Sequence, residues 1–116
     1  MSTFTRDNTE LAVDIAGAGQ QHRAQVGGLT VALERWNAGL DTAEWFADLP
    51  DGACQEPHWG YCLGGTVTMR YTDGQTEVIS AGEAYYIRPG HNAHIDSDAE
   101  FVEFTQADRA PGINTV

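Results

Sequence analysis

Lysine is absent from the 116 residues, and the six arginines face 17 acidic side chains, for a formal charge of −11. Phosphate backbones and anionic lipid surfaces are repelled by such a chain, so neither nucleic acid nor membrane is an expected partner. Long apolar runs are missing too. No stretch approaches membrane-spanning length, and the opening Met-Ser-Thr-Phe-Thr-Arg has no apolar signal core. Cysteine is limited to Cys54 and Cys62, too few and too close together for a disulfide framework. The expected setting is the reducing cytoplasm. Proline occurs only four times, whereas glycine occurs 13 times. With β-branched residues frequent as well, the chain leans toward short strands joined by tight turns. Its length is that of one domain, residues 1–116, able to bury its own core.

The order of elements follows from periodicity. Residues 1–9 are polar and expected to be frayed. Leu11 to Ile15 alternates as a first strand, and Ala16 to Gln20 breaks it. His22 falls in a polar loop, where it is expected to be solvated. Leu29, Val31, Leu33 and Arg35 repeat at period two, which makes a strand of 29–36. One short helix is expected over 42–49: Asp41 caps it, Glu44 completes a capping box, and Pro50-Asp51-Gly52 ends it. Trp45 and Phe46 on that helix are expected to close one end of the core. Val67, Met69 and Tyr71 alternate in the next strand, Asp73-Gly74 marks a hairpin, and 77–80 returns. Strands at 84–87, 91–95 and 101–104 follow, with an irregular tail around 110–113. Many short strands, one brief helix and no βαβ alternation predict an all-β sandwich or barrel.

Chemistry is concentrated in two stretches. Cys54-Gln-Glu-Pro-His-Trp-Gly-Tyr-Cys62 packs two thiols, a carboxylate and an imidazole into nine positions. Gly82-Glu-Ala-Tyr-Tyr-Ile-Arg-Pro-Gly-His-Asn-Ala-His94 adds two more imidazoles. These two segments, in this order around one hairpin, resemble the two motifs of the small single-domain cupins over about residues 29–104, and most of all a subgroup reading Cys-x-Cys-Pro-His-Trp-Gly-Tyr. The resemblance implies a cupin-type jelly-roll barrel, a divalent metal and a small-molecule ligand. Counted back from Tyr61, the family's glutamate falls on His58 and its histidines on Cys54 and Gly52. The second-motif histidine falls on Ala93, flanked by His91 and His94.

Strand parity sorts the candidates. An extended chain sends Cys54, Glu56, His58, Gly60 and Cys62 to one face and Pro57, Trp59 and Tyr61 to the other. His91 shares the parity of Ala93; His94 does so only if a bulge shifts the register. The expected metal set is therefore Cys54, Glu56, His58 and His91, a mixture of donors that suits Zn²⁺ or Fe²⁺. His94, Tyr85 and Cys62 are further pocket candidates. Each has a plainer alternative: Cys62 as a small core hydrophobe, Glu56 as a carboxylate facing water, His58 as a buried ring satisfied by a carbonyl. Tyr86, Trp36, Trp59 and Phe104 read as core or interface, and Arg88 as the partner of an exposed Asp. No organic cofactor and no catalytic residue stands out. The expected function is metal-dependent action on a small organic molecule inside the barrel. The alternatives are a non-catalytic binding or sensing barrel, with a structural metal or none, and a filled scaffold. A homodimer is expected, with residues 11–15 exchanged to cover a strand edge.

Overall fold

The computed structural model describes residues 3–106, so the tail expected around 110–113 lies outside the described residues. Seven strands make one antiparallel sheet: β1 (Glu10–Ile15), β2 (Gly19–Val26), β3 (Leu29–Trp36), β4 (His58–Tyr71), β5 (Thr76–Ser80), β6 (Ala84–Ile87) and β7 (His91–Gln106). Their order is β1-β2-β3-β7-β4-β5, with β6 also paired to β4. The long pair β4–β7 is the spine. Trp59 stands opposite Phe104 at one end and Tyr71 opposite His91 at the other, while the far edge of β4 takes β6 on its first half and β5 on its second.

Three expectations are corrected. Where the sequence predicts a strand break and a polar loop, the chain forms strand β2. Its sequence, Gly-Gln-Gln-His-Arg-Ala-Gln-Val, has no apolar alternation because its buried residue is Gln21, and His22 lies on this strand opposite Leu33. The expected helix is a three-residue 3₁₀ turn, Thr42–Glu44, with a second over Pro50–Gly52. Asp41 does cap the first turn, accepting from the Ala43 amide at 2.9 Å, but it also accepts from Arg70 at 2.8 and 2.9 Å. That ion pair and the Thr42 hydroxyl, which accepts from the Ala93 amide at 2.9 Å, tie the segment to the sheet in place of further helical turns. Finally, residues 3–9 are not simply frayed: Thr9 Oγ1 donates to the Thr5 carbonyl at 2.7 Å, and Arg6 reaches Glu100 at 3.8 Å.

The core lies on the concave side. Trp36, Phe46, Met69 and Ile95 are its largest fully buried apolar members, and Trp36 meets Trp45 edge-on at 5.3 Å, so the 42–49 segment packs onto the core. The β4–β7 register shifts three times between Cys62 and Val67, the kind of irregularity that bends a strand pair around a core. Gly65 has φ 78°, and a Cβ there would run into the Asp98 carbonyl and stand 2.7 Å from Ala99 Cα. Gly65→Ala is therefore expected to lose more than ~2 kcal/mol, left-handed strain and overlap together, in urea denaturation. A loss near zero would show that the bend does not need glycine.

Candidate metal centre

Strand pairing delivers three donors to one point. His58 opens β4 opposite Ile87 of β6, and the turn Arg88-Pro89-Gly90 leads straight to His91 at the start of β7. Cys54 is held against His91 by the backbone: its amide donates to the His91 carbonyl at 2.9 Å, and the His91 amide donates back at 3.1 Å. The rings of His58 and His91 meet edge-on with centroids 5.0 Å apart. One ligand atom each from Cys54, His58 and His91 falls within 4.8 Å of the others, and all three residues are completely buried.

The donor chemistry fits a metal ion. Cys54 Sγ lies 3.8 Å from His58 Nε2, and tetrahedral Zn–S and Zn–N bonds set such ligands about 3.3–3.8 Å apart. His91 Nδ1 is 2.9 Å from the Arg88 carbonyl, which can only accept, so Nδ1 carries the proton and Nε2 is the donor atom toward the cluster. His58 Nδ1 is 2.8 Å from the Thr105 hydroxyl and 3.6 Å from Glu103 Oε2, the outer contact that fixes a metal-binding imidazole. Burial, followed by backbone bonding to Glu56 in opposition and the charges of Glu103, Glu56 and Glu34, leaves the Cys54 thiol pushed up to about 12. A cation is what would make it a thiolate.

Of the expected residues, Cys54, His58 and His91 are brought together. Glu56 is not in the group, although Cys54 and His58 on either side of it are, and β4 begins only at His58. His94 is on the opposite side of the wall, half-exposed, with Nδ1 2.7 Å from Asp96. No bulge between His91 and His94 rescues its parity. Cys62 is buried but turned to the Gly64 carbonyl at 3.3 Å, away from the cluster. Neither Cys54 nor Cys62 is in a disulfide. Tyr85 does line the interior and donates to Glu103 Oε1 at 2.8 Å. Gly60 is what lets it in, since a Cβ there would overlap the Tyr85 hydroxyl.

Sequence reasoning missed the polar interior behind His58. Glu34 and Glu103 are buried carboxyls on the inner faces of β3 and β7. Burial lifts Glu34 to about 7 against the Trp36 indole, which donates to it at 2.8 Å, and burial with Glu34's charge lifts Glu103 well above the usual range. The available signal was parity: Glu103 alternates with Phe101, and Glu34 with Ala32 and Trp36. Beside them is a cavity of about 20 Å³, lined chiefly by Val67, Met69, Ile79, Tyr85, Phe101 and Glu103. That is room for one water.

A buried carboxyl of raised pKa binds more protons folded than unfolded, so its contribution to stability falls as pH rises from about 4.5 to about 7. Wild type is accordingly expected to lose on the order of 2 kcal/mol across that interval relative to Glu34→Gln in parallel denaturant titrations. Equal pH slopes would place Glu34 in a solvated, ordinary environment.

No protein-family model and no curated protein matches the chain. Solved structures do. An RmlC-like cupin from Shewanella frigidimarina aligns over 94% of this chain and 93% of its own, with 16% identity and a TM-score of 0.66. Ectoine synthase from P. lautus aligns over 91% and 78%, with 15% identity and a TM-score of 0.66. A tryptophan-to-tyrosine variant of oxalate decarboxylase from Bacillus subtilis aligns over 89% of this chain at 17% identity and a TM-score of 0.60, but this chain spans only 28% of that enzyme. The chain therefore has the cupin fold, and its buried Cys/His/His group lies inside that fold.

Proposed function

We propose that this is a mononuclear metal-binding cupin of the cytoplasm, of the Cys-x-Cys-Pro-His-Trp-Gly-Tyr type, in which residues 1–116 form one domain acting on a small organic molecule. The observation that carries the reading is the convergence of Cys54, His58 and His91 within 4.8 Å at zero exposure. Zn²⁺ or Fe²⁺ matches one sulfur and two imidazoles. Such an ion, held by three protein ligands, supplies Lewis acidity at its remaining position. The chain's own residues do the rest. Thr105 and Glu103 orient His58, the Arg88 carbonyl orients His91, and the apolar lining from Val67, Met69 and Ile87 keeps bulk water out. Nucleic acid is disfavoured by the charge of −11. No helix among the described residues is long and apolar enough to cross a membrane.

A second reading is favoured by the small cavity: a non-catalytic barrel whose metal is structural. At about 20 Å³ the interior takes one water, so an organic molecule needs side chains to move, flexible Met69 first.

Protein purified without chelator is expected to contain close to one Zn or Fe per chain. Cys54→Ser and His58→Ala are each expected to lower its metal affinity at least ~10-fold, measured by competition with a chromogenic chelator. Metal-free protein whose Tm ignores chelators would end the metal reading. To separate the two versions, azide is added to the Co²⁺-substituted protein. A changed visible spectrum indicates an open position and favours the enzyme; an unchanged one favours the structural metal.

A further inference from the structure

Cys54, His58 and His91 are completely buried, so an ion reaches them only if part of the wall opens. Two of the three belong to continuous ladders. His58 pairs with Ile87, its neighbour Trp59 with Phe104, and His91 with Tyr71, so moving either imidazole would pull the sheet apart. Cys54 lies outside the strands, between the turn Pro50–Gly52 and β4, and joins the sheet through one isolated bridge. That bridge has the two bonds with His91 and a third, from the Gly90 amide to the Cys54 carbonyl at 2.8 Å. Pro57 has no N–H with which to extend it. Gln55 bonds back within the same stretch, to the Pro50 carbonyl at 3.0 Å and the Ala53 carbonyl at 3.2 Å, so the stretch is braced internally. One side chain fastens it to the sheet. Asn92, the residue after His91, donates from Nδ2 to the Gly52 carbonyl at 2.8 Å, and its Oδ1 accepts from the Thr42 hydroxyl at 3.1 Å. Both 3₁₀ turns are thereby pinned to the strand that carries His91. Asp51 and Gly52 have φ 58° and 64°, a left-handed pair that an aspartate adopts less readily than a glycine, so the turn depends on such outside bonds to keep its shape.

We propose that residues 50–57 form a strap that opens to pass the metal ion in and out, with Asn92 as its latch. The gate rests on the metal reading of Cys54, His58 and His91, whereas the opening is a property of the chain and takes place without the ion. Lifting the strap carries away the sulfur and leaves His58 and His91 in their strands, as two imidazoles on a fixed wall. An ion therefore meets nitrogen first and sulfur last, when the strap closes and Cys54 returns to its bridge. Closure then adds a metal–sulfur bond to the hydrogen bonds that already hold the strap, so the loaded protein opens less often than the empty one. Local opening of this kind draws on the least firmly bonded part of a fold, and here that part carries a ligand.

The metal-free protein is treated with iodoacetamide, and the alkylation of each cysteine is followed by peptide mass spectrometry. Asn92→Ala is expected to speed the reaction of Cys54 ~5-fold, the worth of about one hydrogen bond, and to leave buried Cys62 at its wild-type rate. Asn92→Asp keeps the acceptor for Thr42 and loses the donor to Gly52, so it is expected to act in the same way and serves where the alanine variant does not fold. In stopped-flow exchange with a chromogenic chelator, Zn²⁺ uptake and release are expected to quicken by one common factor, with the affinity unchanged within ~2-fold. Equal Cys54 rates in wild type and variants overturn the latch. A rise shared by Cys54 and Cys62 overturns the strap, because global unfolding then exposes both thiols. Faster release with unchanged uptake overturns the gate, since the variant has then only weakened binding. If no metal binds at all, the metal reading fails and the gate with it, while a rise confined to Cys54 still supports the opening.

Discussion

Both ends of β7 meet at one imidazole. His91 begins that strand and Thr105 stands 14 residues on, yet His58 touches the ring of the first at 5.0 Å and the hydroxyl of the second at 2.8 Å. A straight strand would separate those two residues by ~46 Å. The β4–β7 ribbon therefore has to bend back on itself, and its register shifts fall between Cys62 and Val67. The Cys54/His58/His91 cluster, the outer contact to Thr105 and Glu103, and the small cavity all exist only because that return is made. The fold and the site are one constraint seen from two sides.

The return has a cost on the inside. Bringing His58 to the middle of the molecule drags polar side chains with it, and Gln21, Glu34, Glu103 and Thr105 occupy positions that a simpler core would fill with leucine or valine. Buried carboxyls hold their place only when hydrogen-bonded and largely protonated, which is how Trp36 and Tyr85 come to be aimed at Glu34 and Glu103. Such a network adds little net stability compared with apolar packing, and its value is in fixing ring orientation. The apolar surface displaced from the inside reappears on the outside, where Trp59 and Tyr86 stack on each other 42% and 50% exposed.

That inversion also explains what was legible in the sequence. The ligand-bearing strands were readable because Cys54, His58 and His91 sit on local patterns, a motif before a glycine pair and a Pro-Gly turn, whose chemistry does not depend on knowing which face is inside. Arg88 paired with Asp73 at 3.0 Å as an exposed Arg beside a turn would be expected to. Strand β2 and the carboxyl pair were not readable. Hydrophobic alternation identifies the inner face only where the inner face is the apolar one, and on β2 and β3 it is not. Glu56 lies outside the cluster although Cys54 and His58 on either side are in it, so parity alone does not place a side chain in the irregular stretch before β4.

The same geometry accounts for how the site departs from the family pattern. The position that pattern reserves for a second-motif histidine is Ala93, and Ala93 lines the small cavity with 4% exposure. In this chain the imidazole lies two residues nearer the turn, at His91. A shift of two keeps a side chain on the same face of a strand, whereas a shift of one would turn it outward, as His94 shows. His91 thus keeps an imidazole on the inner face, two residues from Ala93. Where it now stands, the backbone exchange with Cys54 sets a thiol beside it. At Ala93 a methyl group faces the apolar cavity, so the register of β7 decides both which side chain stands beside Cys54 and what lines the void.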